Sequence, residues 1–321
     1  MKRYKQVAMT AVMGGVLAIT AGCGDNDASS DKSGNSAGGQ LKGEVIQDGS
    51  STVFPIMEAV AEEYMAEQPD VKVSVGASGT GGGFEKFIQK ETDLSNASRP
   101  VKDEEKKLLE DNGVDYTELK LAYDGISIVV NKENDFIDHL TVEELKEIWI
   151  DDNGKEKKWS DIRSDWPDEP IKFYSPGTDS GTYDYFNEVI LEEKPMVENA
   201  TLSEDDNVLV KGVEGDKNAI GLFGYAYYAE NKDQLKVVPI DNGEGAVEPN
   251  HETIKNGDYA PLSRPLFTYV SNSAFKDKEQ VADYTRFAIE NASELAEEVG
   301  YISLEQEDYD KDLELLDELE K

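Results

Sequence analysis

The sequence predicts an α/β fold, and three observations carry that prediction. From Glu44 to Lys321, strand-like apolar runs alternate with segments of helical periodicity, the order expected of an α/β architecture with mainly parallel strands. That stretch is long enough for two α/β domains or one large one. The single cysteine, Cys23, precedes it, so no internal disulfide is available and the fold must rest on a packed core.

The chain begins Met1-Lys2-Arg3-Tyr4-Lys5, followed by an uncharged apolar run from Val7 to Ala21. This is the layout of a signal peptide, and the run is short of the roughly 20 apolar residues a spanning helix needs. It ends at Thr20-Ala21-Gly22-Cys23, which resembles the lipobox of bacterial lipoproteins. Thr20 stands where a larger aliphatic is usual. We therefore expect residues 1–22 to be removed and Cys23 to carry the lipid. Residues 23–43 are rich in Gly, Ser, Asp and Asn, the composition of a flexible tether.

The body then reads element by element. Val53, Ile56, Met57, Val60, Ala61, Tyr64 and Met65 have the spacing of one buried helix face. Strands are expected at Val71–Val75, Ile126–Asn131, Ile171–Tyr174, Val237–Ile240 and Leu266–Val270. Helices are expected at Asp103–Asn112, Thr141–Ile148, Tyr183–Leu191 and Lys278–Glu298, with a last amphipathic one through Tyr309, Leu313, Leu316 and Leu319. No tandem repeat interrupts the series.

Acidic residues outnumber basic ones 68 to 32, a formal charge of −36. Loss of Lys2, Arg3 and Lys5 with the leader would bring it to −39. Such a chain is no nucleic-acid binder, because that task needs a basic surface. It is suited to staying soluble in a saline or alkaline exterior. The same charge repels anions at long range, so any anion site must win locally.

Three loops have the composition to do so. Asp48-Gly49-Ser50-Ser51-Thr52-Val53-Phe54-Pro55 opens the first helix, with Thr52 as candidate N-cap and Pro55 tolerated in the first turn. Gly76-Ala77-Ser78-Gly79-Thr80-Gly81-Gly82-Gly83 follows the Val71 strand, and Pro176-Gly177-Thr178-Asp179-Ser180-Gly181-Thr182 follows the Ile171 strand. A helix start offers unpaired N–H groups and a positive dipole end. Glycine lets a ligand approach the backbone, and Ser or Thr adds a donor. One such cluster is usually an ordinary cap, but three, each between strand and helix, could surround a tetrahedral oxyanion.

Other chemistries fail at named positions. No Lys-Ser or Lys-Thr follows the glycine run, and Thr80 stands where a Gly-x-Ser-x-Gly elbow around Ser78 needs glycine. His139 and His251 lie near no nucleophile and form no metal-binding pair, so neither an enzyme nor a metal or other cofactor is indicated.

Taken with Asn96-Ala97-Ser98-Arg99-Pro100, Asp124-Gly125-Ile126, Gly224-Tyr225-Ala226-Tyr227-Tyr228 and Pro261-Leu262-Ser263-Arg264-Pro265-Leu266, these loops resemble the phosphate-binding proteins of ABC-type phosphate importers. The resemblance implies a two-lobed periplasmic-binding-protein architecture of type II, its lobes joined by two crossing strands. Lobe 1 would hold residues 44–122 plus about 258–321, and lobe 2 about 123–257. It implies capture of inorganic phosphate in the cleft, delivery to a membrane permease and its ATPase, and anchoring at the extracytoplasmic face of a bacterial membrane. Ser51 or Thr52, the Val53 amide and Ser78 would meet phosphate from one lobe, and Ser180, Gly181 and Thr182 from the other. The familiar Gram-negative pattern has Thr-Phe-Pro in the first loop, an aspartate at the position of Arg99 and an arginine near Pro176. Here Arg99 would be the cation on the phosphate. A carboxylate that only accepts hydrogen bonds favours phosphate, protonated at neutral pH, over sulfate, and Asp124 or Asp179 would fill that place. The rival readings are a binding protein for sulfate or molybdate, a phosphoester hydrolase using Ser180 or Ser78, and a surface sensor.

Overall fold

The structure is a computed structural model that describes residues 41–178, 180–203 and 205–321. The leader, Cys23, most of the tether and Asp179 lie outside the described residues.

In chain order the first part runs β1 (Gly43–Gly49), α1 (Phe54–Glu67), β2 (Val71–Val75), α2 (Gly79–Ile88), β3 (Leu94–Ala97), α3 (Asp103–Asp111) and β4 (Tyr116–Asn131). The middle runs β5 (Leu140–Thr141), α4 (Val142–Trp149), α5 (Trp159–Ile162), β6 (Lys172–Pro176), α6 (Gly181–Val189), β7 (Thr201–Ser203), α7 (Asp206–Gly215), β8 (Ala219–Gly224), α8 (Tyr225–Asn231), β9 (Leu235–Val237), β10 (Ile240–Asp241), β11 (Ala246–Val247) and α9 (His251–Lys255). The chain closes with β12 (Ser263–Ser271), α10 (Asn272–Asp277), α11 (Glu279–Glu298) and α12 (Gln306–Leu319).

One nine-stranded sheet runs in the order β2-β1-β3-β12-β4-β8-β6-β7, with β9 also paired to β4. Its two ends are parallel, β1 with β2 and β3, and β6 with β7 and β8. Its middle is antiparallel: β12 runs against β3 and β4, and β4 against β8 and β9. The expectation of mainly parallel strands is therefore corrected. The long strand β4 pairs with β12 through Tyr116–Gly125 and with β8 from Ile126 onward, so it leaves one half of the sheet and enters the other at Asp124–Ile126.

Each half has its own core. The predicted face of α1 is buried through Ile56, Met57, Val60, Ala61 and Tyr64, and packs with α11, α12 and the sheet residues Val45, Val71 and Leu121. The second core gathers Ile126, Ile128, Trp149, Trp159, Phe173, Phe186 and Leu222. The C-terminal part returns to it with Tyr259, Leu262 and Ile302. Val237–Ile240 is not one strand: β9 pairs with β4, whereas β10 pairs with β5 and β11. Pro239, which has no N–H to give a ladder, lies where the chain changes sheets.

Candidate functional site

The three predicted loops all sit at strand-to-helix junctions. In the first, Gly49 has φ +150, and a Cβ there would lie 2.0 Å from the Asn96 carbonyl oxygen. Only glycine lets β1 turn so close to β3. The turn then consumes its own amides. Thr52 N–H donates to Ser50 Oγ at 3.2 Å, and Val53 N–H to Ser50 O at 3.1 Å. Val53 is the N-cap of α1 and its side chain is fully buried, so Thr52 is not the cap that the sequence predicts. Its hydroxyl is used elsewhere: Thr52 Oγ1 donates to Gly181 O at 3.3 Å and accepts from Arg264 Nη2 at 2.8 Å. Beside it, Ser51 Oγ donates to the carboxylate of Asp184, in the first turn of α6.

In the second loop Ser78 is tied to Asp48, at the base of the first. Its N–H and hydroxyl both donate to Asp48, at 2.9 and 2.6 Å, and Lys86 pairs with the other Asp48 oxygen. Burial raises the Asp48 pKa, but these hydrogen bonds outweigh it and hold the carboxyl below its ordinary value. What the loop presents instead is Thr80, whose Oγ1 accepts from Ser98 N–H at 3.2 Å, and the opening amides of α2 at Gly79 and Gly81.

In the third loop Ser180 caps α6 by accepting from Thr182 N–H at 3.2 Å. A Cβ on Gly181 would fall 2.7 Å from Thr52 Cα. The third loop therefore touches the first backbone to backbone, and glycine permits it.

This contact divides the predicted residues between two cavities. One, of about 470 Å³, is lined by Ser180, Gly181, Thr182 and Asp124, together with Glu297 and Glu298. Among the described residues neither Lys nor Arg lines it. The other, of about 380 Å³, is lined by Ser51, Thr52, Thr80 and Ser98. Three cations also face it, Arg99, Lys102 and Arg264, set against Asp184, Glu188 and Glu193. Ser78 and Val53 line neither of the two.

The predicted cation Arg99 holds Glu105 bidentately, 2.8 Å on each arm, and donates to Pro100 O at 3.1 Å. Glu105 in turn accepts from Lys102 N–H at the start of α3. Sequence reasoning did not assign a role to Arg264, which sits directly opposite Asp124 on the crossing strands. Its guanidinium lies 3.5 Å from the centre of the Tyr185 ring, a cation–π stack. Besides Thr52 it reaches Glu188, by Nη1 at 3.1 Å. Its Nε lies 3.7 Å from Asp124 Oδ2, an ion-pair distance too long for a hydrogen bond. Both of those atoms are buried without a hydrogen-bond partner. Asp124 is only 3 % exposed, and burial, against the pull of Arg264, pushes its carboxyl up to about 6.

The arrangement can bind an anion: two guanidinium groups, hydroxyls and a helix start converge on one cavity. Among the described residues no group of three His, Cys, Asp or Glu could hold a metal ion.

Comparison with known proteins agrees with this chemistry. A sequence profile described as a PBP superfamily domain matches residues 34–292. A phosphate-binding protein PstS of Staphylococcus saprophyticus is 44 % identical over 320 residues, covering 99 % of this chain and 96 % of that protein. The crystal structure of a possible phosphate binding protein from Planctomyces limnophilus superposes with a TM-score of 0.84 at 44 % identity, over 88 % of this chain and all of that one. An ABC-type phosphate transport receptor from Vibrio cholerae shares the fold, with a TM-score of 0.61 at 23 % identity over 82 % of this chain and 100 % of the other.

Proposed function

Because the chain belongs to the PBP superfamily and, within it, to the PstS phosphate-binding proteins, we propose that it captures inorganic phosphate outside the cell and hands it to an ABC-type permease and its ATPase, without chemical change. The observation that carries this is the cavity where Arg264 and Arg99 stand beside Ser51 and Thr52. In a chain of net charge −36, a cavity facing three cations and bounded by hydroxyls answers the need for a local anion site.

Arg264 supplies the principal charge and Arg99 a second one at the rim. Ser51, Thr52 and the start of α2 bind from one lobe, residues 44–122 with about 258–321. Ser180, Gly181 and Thr182 bind from the other, about 123–257, once phosphate separates Thr52 from Gly181 and joins the two cavities. Hinge bending about β4 and β12 then follows the presence of ligand. Lipid on Cys23 and the tether through residue 43 keep the protein at the extracytoplasmic face of the membrane. Among the described residues no helix is long and apolar enough to cross a membrane.

Isothermal titration of the purified protein tests this reading. Phosphate should bind with a strong signal and arsenate should compete, whereas sulfate and molybdate should give little heat. Absence of binding with phosphate refutes it.

A further inference from the structure

The backbone of Tyr301 is fixed on both sides. Helix α11 ends in a Schellman arrangement: Gly300, at φ +89, donates its N–H to Glu297 O at 3.1 Å, and Tyr301 N–H returns to Ala296 O at 2.9 Å. Glycine is the usual residue at the left-handed position of that motif. The next residue, Ile302, exchanges two backbone hydrogen bonds with Tyr123 of β4, at 2.7 and 2.9 Å. Tyr301 is therefore held by the end of α11 and by the crossing strand, one residue before Asp124.

Its side chain packs against the first core, and the residue lines the cavity of about 470 Å³ with Ser180, Gly181 and Thr182. The phenol oxygen lies 3.2 Å from the point that a Gly181 Cβ would occupy, and the same point is 2.7 Å from Thr52 Cα. The hydroxyl thus borders the seam where the first and third loops meet. Burial pushes the phenol well above its ordinary range, Asp124 acting in the same direction and Arg264 against it, so the oxygen keeps its proton and remains a donor. Among the described residues no group accepts a hydrogen bond from it. The other donors at the seam are engaged: Ser51 with Asp184, Thr52 with Gly181 O, and Arg264 with Thr52 and Glu188. A polar group withdrawn from water without a partner costs free energy until one arrives.

Resting on the proposed function, we propose that Tyr301 is a further phosphate-binding residue, whose hydroxyl donates to a phosphate oxygen that enters between Thr52 and Gly181. An oxygen in that seam comes within hydrogen-bond reach of the phenol. Ser51, Thr52 and Arg264 must each give up a bond to meet the ligand, whereas Tyr301 gives up none, so its hydrogen bond is a net gain on binding. A neutral donor of this kind serves any oxyanion oxygen. It adds affinity without choosing among anions.

The test sets affinity against ligand-free stability in Tyr301→Phe, which removes the hydroxyl and keeps the ring. Calorimetric titration with inorganic phosphate and with arsenate should show both weakened by roughly ten- to a hundredfold, the value of a hydrogen bond to a charged group. The melting temperature of the ligand-free protein should be unchanged or slightly higher, because no bond is lost from it. Tyr64→Phe is the reference for an ordinary structural phenol: its hydroxyl donates to Asp283 at 2.8 Å, and it lines neither cavity. That variant should melt lower and bind phosphate as the wild type does. An unchanged phosphate affinity in Tyr301→Phe overturns the inference. So does a fall in affinity accompanied by an equal loss of ligand-free stability to that of Tyr64→Phe, which would make the hydroxyl structural. An affinity loss in Tyr64→Phe as large as that in Tyr301→Phe also overturns it, since general loosening would then explain both. Failure of the wild type to bind phosphate at all would instead refute the proposed function.

Discussion

Replacement of Arg264 by glutamine tests the assignment of charge most directly. The substitution keeps much of the side chain's length and removes the guanidinium. It withdraws the donor to Thr52 at 2.8 Å and the one to Glu188 at 3.1 Å, the two that can turn to a phosphate oxygen. Hydrogen bonds from a charged donor contribute about 1.5–3 kcal/mol each, so two amount to about 3–6 kcal/mol, or roughly 10²- to 10⁴-fold in Kd. The corresponding change at Arg99 should cost less than about tenfold, because its terminal nitrogens are already held by Glu105 and Pro100 and little guanidinium is left for a ligand. A confounding effect lies in Asp124, which would remain buried without its partner. Breaking a buried pair by removing one member costs about 3–5 kcal/mol of stability. The double variant Arg264→Gln/Asp124→Asn removes both charges and should recover most of the lost melting temperature. Calorimetric titration of phosphate into that double variant separates folding from binding. If it binds with near wild-type affinity while Arg99→Gln does not bind, the cation is Arg99 and the reasoning from hydrogen-bond partners is wrong.

Stability should depend on pH through Asp124. Burial holds its carboxyl at about 6 in the folded protein, above an ordinary value of 3.8, so the native state binds the proton more tightly than the unfolded chain. Stability is then highest below about pH 4, falls as pH rises to about 6 and is level beyond it, by an order of about 3 kcal/mol. In urea melts the stability of Asp124→Asn relative to wild type should rise by about 3 kcal/mol between pH 4 and pH 7.5, on top of any pH-independent cost of leaving Arg264 without its partner, and parallel curves would contradict this. Asp312, also raised to about 6 by burial, titrates in both proteins and cancels from the difference. Gly181→Ala places a methyl 2.7 Å from Thr52 Cα. It should lower the melting temperature of the phosphate-free protein, because the clash is with backbone, and phosphate, which separates the two loops on binding, should restore much of the loss; an unchanged melting temperature without ligand would show that the two loops need not approach so closely. Cys23→Ala should release the protein from cells into the medium, as followed by fractionation and immunoblotting, and retention at the membrane would argue against the lipid anchor.

The helices were legible because burial imposes its period on sequence: the Ile56, Met57, Val60 face of α1 is buried as its spacing requires. Strand β4 was only half legible. Its Ile126–Asn131 end is buried on both faces and reads as an apolar run, whereas Thr117–Lys120 carries Glu118 and Lys120 among its apolar positions. The antiparallel middle of the sheet was not legible, since the pairing of β4 with β12 joins residues far apart in sequence and leaves no local pattern. The same distance hid Arg264. Its Ser-Arg-Pro context marks it, as does being one of four arginines after residue 22, but its position opposite Asp124 is a matter of register. The first loop shows the converse. Thr52 has the composition of a cap, yet Val53 takes that position, because the threonine hydroxyl is engaged with Arg264 and Gly181.

The place of Asp184 in the cavity was overlooked for a different reason. An acid in the first turn of a helix is ordinary, as it complements the dipole, and among 68 acids nothing in sequence separates one that faces the cavity. Only its position does so, facing the same space as three cations and bonded to a serine from the opposite loop. A chain this acidic could have made the anion cavity uniformly basic to offset its own field. It did not: the cavity with the cations also retains three carboxylates, so attraction alone does not account for the arrangement.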